Sequence, residues 1–373
     1  LGIVLKALGR INEAEASYSK CLILKPDYAE AHNNLGNILK ELGRLKEAEA
    51  SLSQAILFKP DYAEAYNNLG ITYNELGKLK EAEASLRQVI AMKPDYAAAH
   101  NNLGVLLKEL GRSDKAEASY RRAIALKSDY AEAHSNLGII LYGNGFMDSA
   151  LSSIKKANLF DSKSKDYRLL LNVLQTRKER KVAKVSIDDI NASDYSTKIS
   201  RKIIRLNRLV EEELTTYLYQ IKSIDLDKET DPSFGSTRGS KYDLFQDDHF
   251  TIKNLEADLK AILMRAFSSN VFLYDSFFSI FCAGGGTNRH NHLNKRDKEP
   301  ILSLAKQKYS LVYYLSVGDQ ECSQPGILKF YEPSEDILPS EGLITIFPAD
   351  RYHSSVYGGS KNRVIVGVNF YCL

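Results

Sequence analysis

Cysteine is scarce and scattered in this chain. The four that occur, Cys21, Cys282, Cys322 and Cys372, form no CxxC pair. That excludes the common zinc and dithiol motifs and makes reduced thiols in a cytoplasmic setting the expectation. Long apolar runs are missing as well: none approaches the roughly 18 residues of a membrane span. Charge of one sign is not in excess. A net charge of +3 over 373 residues implies no strong pull toward nucleic acid or a membrane surface. An initiator methionine is absent too. The chain starts at Leu1 in the middle of a pattern, as a fragment of a longer protein would. What is plentiful is hydrophobic residue, 44% beside 26% charged, enough for two or three domains with ordinary cores.

The first half repeats itself. KPDYAEAH, KPDYAEAY, KPDYAAAH and KSDYAEAH place Pro26, Pro60, Pro94 and Ser128 at a constant step of 34 residues. NNLG or SNLG recurs in register, ending at Gly36, Gly70, Gly104 and Gly138. Small residues at Gly36, Ala48 and Ala55, with Leu35, Leu52 and Pro60, complete one set. They let two helices of a hairpin approach closely, and the glycine of ELGR or ELGK stops the first helix. A period of 34 with these positions resembles the tetratricopeptide repeat family. The resemblance covers residues 1–161 and implies an α solenoid. Leu1 and Gly2 align with Leu35 and Gly36, so the first repeat is truncated and further repeats are expected upstream.

Asn34, Asn68, Asn102 and Asn136 fall at one position of four successive repeats, beside Asn33, Asn67 and Asn101. Asparagine is a mediocre helix former, so its recurrence needs a cause. An amide both donates to C=O and accepts from N–H. The row therefore either holds an extended peptide or ties repeat to repeat. The array resembles that of O-GlcNAc transferases, whose asparagine ladder holds peptide backbones. This resemblance implies an extended peptide or protein partner, while the net charge of +3 gives no reason to expect nucleic acid or a membrane.

Residues 162–181 read as a capping helix with a charged, solvated end, RKERKVAK. Residues 182–198 lose the helical pattern and read as a linker. Residues 199–221 regain a 3.6-residue apolar period and are predicted to form one amphipathic helix. Residues 228–245 read as a polar loop and 254–267 as a second helix. Beyond residue 271 the chain turns to short runs of Val, Ile, Tyr and Phe bounded by Gly, Pro, Asn and Asp. Such runs predict strands of a sandwich or jelly roll.

Three of the seven histidines cluster in this last part: His290 and His292 in RHNHL, and His353 in FPADRYHSS. In an extended stretch, residues i and i+2 share a face, so His290 and His292 can approach one ion together. A third imidazole from a later strand completes a facial set with open positions, the pattern of mononuclear non-haem iron oxygenases. Arg363 follows in RVIVGVNF, inside an apolar strand where a guanidinium is costly to bury without an anion. Its alternative partners are Glu332 or Asp336. The long lysine-rich segment 294–308 reads as a lid or binding loop.

The order RHNHL, YSLVYYL, GILKFYEP, LPSEGLITIFP, His353, Arg363 resembles the 2-oxoglutarate and Fe(II)-dependent dioxygenases of the prolyl 4-hydroxylase-like branch. The resemblance covers residues 277–373 and, with the helices expected before them, implies that residues 199–373 form an α+β domain with a double-stranded β-helix (jelly roll) core behind N-terminal helices. It implies a hydroxylase with Fe(II) as cofactor and 2-oxoglutarate as co-substrate. His290 and His353 are implied as metal ligands. His292 stands where that branch usually has a carboxylate, so either His292 or Asp297 completes the set. Arg363 is implied to grip the distal carboxylate of 2-oxoglutarate, with a hydroxyl from Tyr313 or Tyr314, and Asn369 is a further wall candidate. A non-catalytic repeat scaffold with a degenerate jelly roll, and a small-molecule oxygenase, are the competing readings.

Overall fold

The computed structural model describes residues 1–184, 202–225, 233–234, 237–240, 243–282, 284–294 and 296–373. The chain divides into two compact units, Leu1–Leu171 and Asn172–Leu373. Residues 185–198 of the expected linker lie outside the described residues.

The first unit is a run of helix pairs. In order these are α1 (Gly2–Ala7) with α2 (Ile11–Leu24), α3 (Ala29–Glu41) with α4 (Leu45–Phe58), and α5 (Ala63–Glu75) with α6 (Leu79–Met92). Then come α7 (Ala97–Glu109) with α8 (Ser113–Leu126), and α9 (Ala131–Gly143) with α10 (Met147–Phe160), before α11 (Lys165–Lys184). Gly43 and Gly77 end α3 and α5 at φ +75° and +74°, left-handed backbone that favours glycine. Gly36 is needed for a different reason. A Cβ there would meet the Leu52 side chain at 2.6 Å, so the closeness of α3 to α4 depends on its absence.

The asparagine row is engaged between repeats. Asn68 Nδ2 donates to Asn33 Oδ1 (2.9 Å), Asn102 to Asn67 (2.9 Å) and Asn136 to Asn101 (3.1 Å). Asn33 and Asn101 in turn donate to Glu64 and Glu132 of the following repeat. Part of the ladder therefore serves the array itself, since a buried amide left unpaired costs about 1–3 kcal/mol.

In the second unit, the end of α11 leaves Lys178, Glu179 and Arg180 exposed, as a solvated charge run would, while two of its arginines also bond to backbone carbonyls. Arg177 Nη2 donates to Leu302 O (2.5 Å) and Arg180 Nη2 to Leu373 O (2.7 Å). The predicted helix over 199–221 is corrected. Ile204–Asn207 is a strand, β1, and only Glu212–Gln220 is helix, α12. An apolar stretch this short fits either period, and pairing of Ile204 and Leu206 with Ile346 and Ile344 decides for the strand.

After β1 come β2 (Ile224–Asp225), β3 (Ser233–Phe234) and β4 (Thr237–Gly239), the last two within the segment expected to be loop. Helix α13 (Phe250–Phe267) precedes β5 (Val271–Phe281), β6 (Gly285–His290), β7 (Lys308–Ser316), β8 (Pro325–Tyr331), β9 (Ser334–Ile337), β10 (Leu343–Pro348), β11 (His353–Tyr357) and β12 (Arg363–Cys372). They form two antiparallel sheets. One runs β1-β10-β7-β12-β5-β4-β2, the other β3-β6-β11-β8-β9.

Alternation along β7 and β12 assigns the two faces of the larger sheet. Leu311, Tyr313, Val364, Val366 and Val368 turn to one side. There Leu214 and Leu218 of α12 and Leu255, Leu259 and Leu263 of α13 cover them in one apolar core. Val312, Tyr314 and Ile365 turn to the other side, against Leu328, Phe330 and Tyr357 of the smaller sheet. The candidate site lies in this second layer.

Candidate metal centre and anion pocket

A cavity of about 290 Å³ opens between the sheets, lined among others by His290, His292, His353, Tyr314, Arg363 and Phe277. The end where the histidines gather is built mainly by one strand pair. His353 on β11 lies directly opposite His290 on β6 in the ladder. Strand β6 ends at His290, so His292 is not placed by strand alternation. Its backbone N–H instead donates to Ala349 O (2.8 Å), which turns the ring toward the other two.

One ligand atom from each of the three histidines lies within 4.8 Å of the others. Nε2 of His292 and Nε2 of His353 are 3.3 Å apart, a gap that one ion at imidazole bond lengths of about 2.0–2.1 Å can span. Nδ1 of His290 faces Asn288 O (2.7 Å) and Nδ1 of His353 faces Arg351 O (3.2 Å). A carbonyl accepts from N–H, so these contacts put the proton on Nδ1 and the lone pair on Nε2, as metal-bound histidine requires. Burial, with the neighbouring imidazoles adding to it, holds His353 down at about 3 and His292 well below its ordinary value. Both rings are neutral lone-pair donors near pH 7. The residues fit a divalent ion of the nitrogen-preferring kind.

Asp297 is not part of this set. Its carboxylate accepts from Lys308 Nζ (2.9 Å), Asn294 N (2.8 Å) and Tyr371 Oη (2.6 Å), and both members of the ion pair are buried. Of the two candidates for the third ligand, the geometry brings His292 to the others and turns Asp297 away.

Arg363 ends the cavity opposite, 1% exposed. Its guanidinium donates to the carbonyls of Gly326 (2.5 Å), Pro325 and Val317 (3.4 Å), and lies 4.8 Å from the Tyr357 ring centre. Among the described residues no carboxylate pairs with it; Glu332 pairs with Arg289 instead. Tyr314 lines the same cavity, its phenol pushed up to about 12 by burial against the opposing pull of Arg363. Its hydroxyl makes no hydrogen bond among the described residues.

Tyr313 and Asn369 are placed elsewhere. Tyr313 Oη donates to Leu209 O (2.9 Å) and accepts from Arg208 in the helix-covered layer. Asn369 accepts from Ser310 Oγ (2.6 Å) and donates to Asp275 (2.7 Å), away from the cavity. Sequence reasoning missed Gly326 and Lys308. The only trace of either was a lone glycine in GILKFY and a lone lysine opening the apolar strand KYSLVYYLS.

Comparisons with known proteins address the first unit. Tetratricopeptide repeat family models match residues 27–95, 67–131 and 102–158, and a TPR repeat model matches 2–43. Residues 2–158 are therefore tetratricopeptide repeats, a helical solenoid scaffold. No curated protein matches the chain. Similar solved structures include TTC0263, a thermophilic TPR protein of Thermus thermophilus, at 29% identity over 47% of this chain and 96% of that one, TM-score 0.44. YrrB, described as a TPR protein with an unusual peptide-binding site, is 24% identical over 43% of this chain and 84% of that one, TM-score 0.35. PilF of Pseudomonas aeruginosa is 18% identical over 54% and 87%, TM-score 0.44. Among the described residues no helix is long and apolar enough to cross a membrane.

Proposed function

We propose that the second unit is a double-stranded β-helix oxygenase that uses Fe(II) and 2-oxoglutarate to hydroxylate a polypeptide recruited by the repeats. The observation that carries this reading is the pairing, in one cavity, of three convergent imidazoles with a buried arginine that has no carboxylate partner among the described residues. Fe(II) held by His290, His292 and His353 would supply oxygen activation coupled to decarboxylation of the co-substrate. Arg363 would receive the distal carboxylate in a bidentate grip, and Tyr314 would donate its hydroxyl to the same group. The carbonyls of Val317, Pro325 and Gly326 hold the guanidinium in place beforehand, so little ordering is lost on binding. Phe277 and Phe281 keep the wall between the two ends apolar.

The repeats support a polypeptide partner. Asn68, Asn102 and Asn136 each use one N–H on the preceding repeat, which fixes the amide in orientation. Their side-chain carbonyl oxygens make no hydrogen bond among the described residues. One chain carrying both functions would raise the effective concentration of substrate at the cavity.

The test is anaerobic loading with Fe(II) followed by oxygen and 2-oxoglutarate, with succinate measured. Succinate formed by wild type and abolished in His353→Ala supports the reading. Stable binding of neither iron nor 2-oxoglutarate at millimolar concentration rejects it in favour of a scaffold with a degenerate sheet domain.

A further inference from the structure

In the segment 294–308, which reads in sequence as a lid or binding loop, Lys298 and Lys306 are exposed, while Asn294, Asp297 and Lys308 bond to one another. Asp297 N donates to Asn294 Oδ1 and Asn294 N donates back to the Asp297 carboxylate, closing the chain on itself just after His292. Leu302 and Leu304 are buried. Lys308 and Asp297 form an ion pair whose side chains are 2% and 0% exposed. Such a pair is costly to desolvate and adds little net stability over apolar residues of the same shape. Its value must therefore be sought in what it holds.

Two routes run from Lys308 to His292. Through the side chain, Lys308 Nζ holds Asp297, which holds Asn294, two residues from His292. Through the backbone, Lys308 O accepts from Ala349 N (3.0 Å), and Ala349 O accepts from His292 N (2.8 Å). Both grips converge on the one imidazole of the cluster that no β-ladder places. His290 and His353 are fixed by facing each other across β6 and β11. His292 lies past the strand end and needs another support. The Tyr371 hydroxyl and the rings of Tyr274 and Tyr371, 5.1 and 5.5 Å from Lys308 Nζ, enclose the pair.

We propose that Asp297, clamped by Lys308, is the positioning residue that holds His292 in the metal-binding geometry. The carboxylate this centre lacks among its ligands thus acts one step behind the third imidazole. The inference rests on the metal-binding reading, and the experiment separates the two. Co(II) is titrated into the full chain, with its visible absorption band recording affinity and coordination, for wild type, Asp297→Asn, His292→Ala, the double variant and His353→Ala. Supporting-residue loss costs about 10- to 100-fold in metal affinity, so Asp297→Asn is expected to bind at least about 10-fold more weakly, with a changed band. Adding Asp297→Asn to His292→Ala is expected to change nothing further, because the effect passes through that ring.

Should Asp297→Asn fail to fold, Tyr371→Phe takes its place in the same cycle. It removes one hydrogen bond to the carboxylate while leaving the ion pair, and is expected to weaken Co(II) binding about threefold. Wild-type affinity and band in the folded variant, or a loss that adds in full to that of His292→Ala, would overturn the proposal. Failure of the wild type to bind Co(II), or equal binding by His353→Ala, would instead reject the metal reading.

Discussion

The guanidinium of Arg363 occupies the space in which a side chain on Gly326 would begin. A Cβ there would meet Nη1 and Cζ of the arginine, and Gly326 sits at φ +72°, which other residues adopt at a cost of about 1–2 kcal/mol. The strand β8 therefore supplies both a carbonyl for the arginine and the vacancy that admits it.

Gly326→Ala is accordingly expected to displace Arg363 while sparing His290, His292 and His353. Binding of 2-oxoglutarate to the anaerobic Fe(II) protein should fall by about tenfold or more, as for the loss of one charge-assisted hydrogen bond. Iron content, measured on the same sample, should stay at the wild-type level.

Substitution of Arg363 itself grades the same interaction. Lysine keeps the charge and loses the fork, so Arg363→Lys should weaken 2-oxoglutarate binding and Arg363→Ala should weaken it further. The expected loss for alanine is about 2–3 kcal/mol, or about 30- to 150-fold in affinity. Calorimetric titration under nitrogen measures it, and equal affinity across the series would remove Arg363 from the co-substrate site.

The two adjacent tyrosines should separate cleanly. Tyr314→Phe removes a hydroxyl that has no partner among the described residues and is expected to lower 2-oxoglutarate affinity by about fivefold while leaving the melting temperature in place. Tyr313→Phe removes the bond to Leu209 O and is expected to cost about 1 kcal/mol of stability with no change in affinity. Reversal of this pattern would show that the sheet faces its tyrosines the other way.

In the repeats, Asn33→Ala leaves the buried Nδ2 of Asn68 without its acceptor and frees Glu64. Urea unfolding of the chain should register about 1–2 kcal/mol of lost stability in the array, with helical circular dichroism retained before the transition. Asn68→Ala with Asn102→Ala should lower array stability for the same reason and also weaken binding of an extended peptide. Loss of stability with peptide binding intact would confine the asparagines to holding the repeats together.

The repeats were legible because each helix pair must meet the same packing conditions as the last. Gly36 under Leu52 and Gly70 under Leu86 are one contact repeated at 34-residue intervals, so the pattern is local and visible in the letters. The candidate site was legible in part. His290 and His353 stand out because histidine is scarce in the chain, and Arg363 because it opens an apolar strand. Their separation along the chain says nothing of distance, which the β6–β11 and β5–β12 ladders supply. The stretch 199–221 is ambiguous in the letters because a four-residue strand and a nine-residue helix share an apolar count that one longer helix also satisfies.

The letters alone carry the 34-residue period, the helix pairs it builds, and the rare side chains of the last hundred residues that make up the candidate site. Which of Tyr313 and Tyr314 lines the cavity, which of His292 and Asp297 joins the other two histidines, and which asparagine amides bond to a neighbouring repeat follow from the tertiary structure alone. The reason is physical. Alternation along a strand fixes that neighbours point apart, but which of the two faces a cavity depends on what packs against each side. For Tyr313 that is α12 and α13, and for Tyr314 it is the smaller sheet. Likewise, whether a carboxylate meets a metal or an ammonium is set by a lysine eleven residues away in sequence and 2.9 Å away in space.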